Sequence, residues 1–183
     1  SVLGRAAYDG LLASGVMPVI KHMPGHGLAV ADSHKGLSRV TEDFEYLMEH
    51  DFAVFADFSD AKMGMSAHIL FDAIDPLRPA TISPRLIDII RVDLSFDGLL
   101  MTDDLSMEAL PASIQARATS AQRAGIDVVL HCNGNGNEMP AVAEVLETPT
   151  PATQRRMQAA LDARDALVPQ SLDIDAMRAQ LGV

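Results

Sequence analysis

The sequence is poor in positive charge. Its 183 residues include 14 lysines and arginines against 25 aspartates and glutamates, which gives a formal net charge of -11 at pH 7. Such an acidic chain repels phosphate backbones and anionic lipid headgroups. We therefore expect neither a nucleic acid nor a membrane surface among its partners.

Cysteine and long apolar runs are also scarce. The one cysteine, Cys132, excludes an intramolecular disulfide and is compatible with a reducing compartment, so we predict a cytoplasmic location. No apolar run reaches the roughly 18 to 20 residues that a membrane-spanning helix needs. The composition, with 48% hydrophobic and 21% charged residues, is typical of a globular protein.

Several cofactor motifs are absent. There is no G-x-x-x-x-G-K-[ST] loop, and "GNGNE" (134–138) resembles a phosphate-binding loop only superficially. His131 and Cys132 end an apolar segment, but no C-x-x-C or H-E-x-x-H accompanies them. We therefore expect no metal at these two residues.

Short apolar segments alternate with helical ones along the chain. Each apolar segment ends in polar residues, and four such segments are predicted strands: 16–22, 62–69, 98–104 and 127–133. Apolar strands that alternate with helices indicate a parallel sheet, and polar tips at the strand ends are typical of a (β/α) barrel. We predict an α/β fold of parallel (β/α) units, the C-terminal half of a TIM (β/α)8 barrel. A complete flavodoxin-like open sheet is the alternative.

The helices between these strands have recognisable ends. Helical patterns cover 1–15, 41–52, 83–94 and 113–125, and two further helices are predicted after residue 136. Thr41 and Ser83 are predicted N-caps, and Pro84 suits the first helical turn. Gly15 and Gly125 are predicted to end their helices.

One irregular stretch, "KHMPGHGLAVADSHKG" (21–36), concentrates titratable groups. It is a metal site, a catalytic site or a solvated loop. Asp32 stands two residues before His34, and a carboxylate there can accept from the imidazole Nδ1–H and raise the basicity of the ring. Such a pair donates and accepts protons near neutral pH. A solvated loop in which Asp32 forms a local turn is the plainer interpretation of the spacing.

Polar residues at the strand tips are the other candidates. Of the adjacent pair Asp103 and Asp104, one carboxylate can face the mouth of the barrel while the other turns sideways to bond the backbone or a cation. Lys21 and His22 can donate hydrogen bonds to substrate hydroxyl groups. His68, at another strand tip, is more typical of a buried structural histidine. For each of these a purely structural role stays open.

Taken together, these segments resemble glycoside hydrolase family 3. "KHMPGHG" followed by "DSH", then "SAHILFDAIDPLRPATISPRLIDIIR" and "DGLLMTDDLSMEAL", are similar to signatures of its β-N-acetylglucosaminidase branch. The resemblance extends to about residue 135. Methionine stands in "KHMPGHG" where the family usually has phenylalanine.

The resemblance implies roles for particular residues. Asp103 matches the nucleophile, His34 the general acid/base and Asp32 its partner, while Lys21 and His22 match residues that hold sugar hydroxyl groups. It further implies retaining hydrolysis of terminal β-linked N-acetylglucosamine, including in peptidoglycan fragments (muropeptides), without a metal or an organic cofactor.

The match also implies a partial domain. We expect residues 1–183 to form strands five to eight and the closing helices of the family's catalytic barrel, with the N-terminal half missing. An isolated half barrel would expose sheet edges, so we expect it to be weakly active or inactive and prone to self-associate.

Three other functions are left open. A β-glucosidase or xylosidase of the same family usually lacks the "DSH" loop. A metal-dependent hydrolase would use His22, His26, Asp32, His34 and Asp103. A non-catalytic half barrel would bind carbohydrate or serve only in assembly.

Overall fold

Six strands form two sheets in the structure, a computed structural model that describes residues 1–29, 36–169 and 173–182. The strands are β1 Ile20–Met23, β2 Ser38–Val40, β3 Met63–Ser66, β4 Ile69–Phe71, β5 Leu99–Asp104 and β6 Val128–Leu130. Four of them make one parallel sheet in the order β1-β3-β5-β6. Within the described residues β1 and β6 are its two edges, and the sheet does not close. The predicted parallel α/β fold is confirmed.

In the described residues, one helix precedes the first strand, others separate the strands, and three follow the last strand. The helices are α1 Val2–Ala13, α2 Phe44–Glu49, α3 Ala53–Ala56, α4 Pro84–Asp88, α5 Ile114–Ala124, α6 Glu138–Val145, α7 Pro151–Asp165 and α8 Ile174–Leu181. A 3₁₀ turn at Ala80–Ile82 precedes α4, which continues as a π-helical stretch over Ile89–Asp93. In the described part of the chain, no helix is long and apolar enough to cross a membrane.

Three helix ends agree with the sequence and one does not. Gly15, with φ of 81°, directly follows Ser14, the C-cap of α1. The Ser83 hydroxyl accepts from the backbone N–H of Leu86, and Gly125 ends α5 in the left-handed conformation with φ of 107°. Thr41 was a wrong choice of N-cap, because the Asp43 carboxylate caps α2 instead. A carboxylate next to the first helical residue satisfies an amide that Thr41 cannot reach.

A second, two-stranded sheet was not predicted. β2 pairs in parallel with β4, which is fully buried and follows β3 after a short break. The predicted strand 62–69 is therefore wrong at its end, because β3 stops at Ser66 and Ile69 already belongs to the other sheet. A pairing between segments so distant in sequence leaves no local signal.

Buried aromatic rings hold the helices against the sheet. Phe52, Phe71 and Phe96 have no exposed side-chain surface. The rings of Phe52 and Phe71 meet edge to face, with centroids 5.1 Å apart. This contact joins the start of α3 to β4.

A buried carboxylate, Asp127, stands at the amino end of β6. Its side chain is 1% exposed and accepts from Arg91 at 2.6 Å and from Arg156 at 3.2 Å. The backbone N–H of Leu100 and the Thr153 hydroxyl also donate to it, at 3.0 and 2.8 Å. The network joins β5, β6 and α7 to the π-helical stretch that continues α4. It lies at the end of the sheet opposite the polar strand tips.

We expect Asp127→Asn to lower the free energy of unfolding by about 3 kcal/mol, because it leaves the mostly buried Arg91 guanidinium without its carboxylate and leaves Arg156 only its pair with the exposed Asp97. Urea denaturation measures the loss. Asp97→Asn is the control: that carboxylate pairs with Arg155 and Arg156 but is 59% exposed, so its loss should be much smaller. Equal losses in the two variants would contradict the importance of burial.

Candidate active site

Two of the residues implicated by the sequence meet at the carboxyl end of the sheet. Nε2 of His22, in β1, lies 3.4 Å from Oδ2 of Asp103, near the end of β5. Both side chains are partly buried, at 24% and 21% exposure. β1 and β5 each pair with β3, so their tips stand two strand spacings apart, and the two side chains reach across β3.

The His22 imidazole is partly buried, and its surroundings change its pKa. Burial lowers its pKa from the ordinary value, against the opposing effect of the Asp103 carboxylate, while Lys21 and His26 lower it further. The His26 ring lies against His22, with ring centroids 5.1 Å apart. His22 is therefore a neutral polar group beside Asp103 at neutral pH.

Asp104 turns away from Asp103 and binds backbone groups. Its Oδ1 accepts the N–H groups of Ser106 and Cys132, each at 3.0 Å, and its Oδ2 accepts the Ser106 hydroxyl. Burial alone would raise the pKa of the Asp104 carboxyl, but these hydrogen bonds hold it below its ordinary value. This ionised side chain fastens the end of β5 both to the following turn and to the residue after His131.

His68 holds the same peptide from the other side. Its Nε2 lies 3.0 Å from the carbonyl oxygen of Asp104 and its Nδ1 lies 2.7 Å from the Thr81 hydroxyl. A carbonyl only accepts, so Nε2 carries the proton of the neutral ring. The Thr81 hydroxyl donates to the carbonyl oxygen of Ala67 at 3.0 Å. The Thr81 hydroxyl is also 2.8 Å from that of Ser66. Burial lowers the pKa of His68, which favours this neutral form.

The remaining predicted residues fall in different places. Lys21 is exposed in β1, next to His22. Asp32 and His34, the predicted acid/base pair, lie outside the described residues. His131 bonds Glu138 through Nε2 at 2.7 Å.

The metal hypothesis gains no support from the side chains that can be placed. Among the histidine, cysteine, aspartate and glutamate residues of the described ranges, no group of three or more is arranged to hold a metal ion. Two of the five residues named for such a site, Asp32 and His34, are not in those ranges.

Sequence reasoning predicted that one carboxylate of the pair turns sideways to bond the backbone, as Asp104 does, but it did not identify the partners of Asp104. The functions of His68, Thr81 and Ser106 depend on which strand tips become neighbours. The adjacent carboxylates "DD" were the available signal, since two such groups cannot share one direction at a strand end.

Comparison with known proteins agrees with this geometry. Residues 1–163 match the model of the glycosyl hydrolase family 3 N terminal domain. A β-hexosaminidase of Alkalilimnicola ehrlichii is 36% identical over 160 residues, which cover 85% of this chain and 45% of that protein. The chain belongs to glycosyl hydrolase family 3.

Solved structures give the same result. NagZ from Neisseria gonorrhoeae, in complex with N-trifluoroacetyl-D-glucosamine, has 30% identity and a TM-score of 0.78, with coverage of 97% of this chain and 54% of that one. A family 3 β-N-acetylglucosaminidase from a Paenibacillus species has 29% identity and a TM-score of 0.79. The match covers 93% of this chain and 36% of that one.

The fold is therefore that of the family's TIM-barrel-like domain rather than a flavodoxin-like sheet. The chain spans about half the length of the curated relatives it matches. Which half of a barrel it forms, the missing N-terminal half and the self-association of an isolated half barrel stay predictions.

The buried histidine predicts a pH effect on stability. In the unfolded chain His68 has its ordinary pKa of 6.5, while the folded pKa is lower. Below about pH 6.5, His68 is protonated in the unfolded chain but stays neutral in the folded state until a lower pH. The free energy of unfolding therefore falls as the pH falls. One proton contributes at most about 1.4 kcal/mol per pH unit.

His68→Gln keeps a hydrogen-bond donor for the Asp104 carbonyl, but its amide side chain does not titrate between about pH 5 and pH 7. We expect its free energy of unfolding to fall less steeply than that of the wild type between pH 7 and pH 5, as measured by urea denaturation at each pH. The comparison uses slopes, so a uniform loss of stability in the variant does not affect it. Parallel curves for the two proteins would contradict the assignment.

Proposed function

We propose that the complete protein is a retaining β-N-acetylglucosaminidase, with Asp103 as its nucleophile. One observation carries the proposal: the Asp103 carboxylate stands at a strand tip of a family 3 fold, 3.4 Å from a partly buried histidine. The relatives named β-hexosaminidase support the substrate class.

In the first step the Asp103 carboxylate attacks the anomeric carbon. The bond from that carbon to the leaving oxygen breaks, and protonated His34 gives its proton to that oxygen, so a glycosyl-enzyme and a free alcohol result. His34 takes the place of the second carboxylate that most retaining glycosidases use. Asp32, two residues earlier, orients the imidazole and stabilises its charged form.

In the second step neutral His34 removes a proton from water. The resulting hydroxide attacks the anomeric carbon, the bond to Asp103 breaks, and the sugar leaves with its original configuration. His34 regains the proton that the next cycle needs. The same group is therefore acid and then base, which requires a pKa near neutral pH.

Lys21 and His22 are proposed to bind the sugar hydroxyl groups. A neutral His22 can donate a hydrogen bond while it withdraws less charge from Asp103 than an imidazolium would, so the carboxylate keeps its nucleophilicity. The N-acyl glucosamine bound to the gonococcal neighbour supports a small carbohydrate as the ligand. Muropeptides of peptidoglycan are the proposed natural substrates and the cytoplasm the proposed location.

We expect Asp103→Asn to lower kcat by about a thousandfold or more, because an amide cannot form the glycosyl ester. Turnover of an aryl N-acetyl-β-glucosaminide by the complete protein measures this. Asp97→Asn, an exposed aspartate at the opposite end of the sheet, is the matched control and should keep the wild-type kcat. Unchanged turnover in Asp103→Asn would favour the non-catalytic alternative.

His34→Ala should show the signature of a lost acid/base. We expect kcat/KM to fall strongly for an alkyl N-acetyl-β-glucosaminide but little for a dinitrophenyl one, whose leaving group needs no proton. Azide, a nucleophile that needs no base, should then accelerate turnover of the dinitrophenyl substrate and yield the glycosyl azide. Equal losses on both substrates, with no glycosyl azide, would exclude His34 from this role.

A further inference from the structure

A half-buried carboxylate, Asp51, lies beneath the glycine-rich turn that follows β1. Its Oδ1 accepts the backbone N–H of Gly27 at 3.1 Å, and the amide of His26 also faces the carboxylate. Its Oδ2 is buried and has no hydrogen-bond partner among the described residues. Asp51 is 24 residues from Gly27 in sequence, so it joins the segment between α2 and α3 to the turn.

The turn is shaped to receive this carboxylate. A Cβ on Gly25 would stand 2.2 Å from Oδ2 and 2.5 Å from the carboxyl carbon of Asp51, so only a hydrogen atom fits there. A Cβ on Gly27 would be 3.1 Å from Oδ1. The glycines of "PGHG" therefore permit the backbone to approach Asp51 closely.

Stability alone does not explain an ionisable group in this position. Burial raises the pKa of the Asp51 carboxyl, which shows that the ionised form loses hydration there, and the amides of Gly27 and His26 only partly oppose this. An apolar side chain would avoid that cost but would leave the Gly27 amide without its acceptor. What the carboxylate adds is a fixed direction for two backbone amides.

The fixed turn leads directly to the site. His26, whose amide faces Asp51, places its ring against His22, with centroids 5.1 Å apart. His22 in turn has its Nε2 3.4 Å from Asp103. A line of contacts thus runs from Asp51 through the turn and the two imidazoles to the proposed nucleophile.

We propose that Asp51 is a positioning residue, which holds the turn 25–27 so that His26 supports His22 in its place beside Asp103. The inference rests on the proposed function, in which His22 binds a sugar hydroxyl group. Asp51 itself acts through the backbone of the turn. Small displacements of a binding group lower activity strongly even when they arise at a distance.

The test compares Asp51→Ala, Asp51→Asn and Gly25→Ala in the complete protein, with an aryl N-acetyl-β-glucosaminide. We expect Asp51→Ala and Gly25→Ala, which disturb the same contact from opposite sides, to raise KM about tenfold. Asp51→Asn keeps an oxygen acceptor for the Gly27 amide and should stay within about twofold of the wild-type KM. KM does not depend on the fraction of enzyme that is folded, so instability alone cannot produce this pattern.

Two further variants separate the possible failures. Asp127→Asn, at the opposite end of the sheet, should lower Tm and leave KM unchanged. His22→Ala should raise KM; an unchanged KM there would overturn the role of His22 in the proposed function. A raised KM in His22→Ala with wild-type values in Asp51→Ala and Gly25→Ala would overturn only the inference about Asp51. If Asp51→Asn raised KM as much as Asp51→Ala, the inference would also be overturned, because the oxygen acceptor for the Gly27 amide would then not explain the effect.

Discussion

The candidate site depends on how the peptide at Asp104 is held. Its carboxylate accepts from Ser106 and Cys132, and its carbonyl oxygen accepts from His68. Side chain and backbone of one residue are thereby fixed from two directions. The Asp103 carboxylate is held at the same residue, because the backbone N–H of Asp104 donates to its Oδ1 at 2.9 Å.

The two ends of the parallel sheet have different tasks. At the amino end, Asp127 joins strands and helices through guanidinium groups that are themselves mostly buried. At the carboxyl end, the polar groups of His22 and Asp103 remain partly exposed, where a ligand can reach them. The proposed catalytic groups therefore lie at the strand tips, and the ion pairs that stabilise the sheet lie at its other end.

Much of the fold could be predicted from local patterns. Apolar runs identified the four strands of the main sheet, and Ser83 and Gly125 marked helix ends, because a cap acts on amides only a few residues away. The cap of α2 was predicted two residues too early, since Thr41 and Asp43 both suit the position and only the path of the chain selects one. The pairing of β2 with β4 had no local signal.

The candidate site was predictable in part. Lys21, His22 and Asp103 stand at strand tips, and the tips of parallel strands share one end of a sheet. The contributions of His68 and Asp51 could not be found in this way, since each acts on a backbone group far away in sequence. The acid/base assignment of Asp32 and His34 still rests on the resemblance of their motif to the family.

By itself the sequence determined the alternation of strands and helices, the acidic charge and the residues that stand at the strand tips. These are properties of neighbours in the chain and depend on spacing alone. Only the tertiary structure decided that His22 faces Asp103, that His68 holds the Asp104 carbonyl and that Asp51 lies under the turn. Such contacts join segments that are distant in the chain, and their geometry exists only once the sheet has set the strand order.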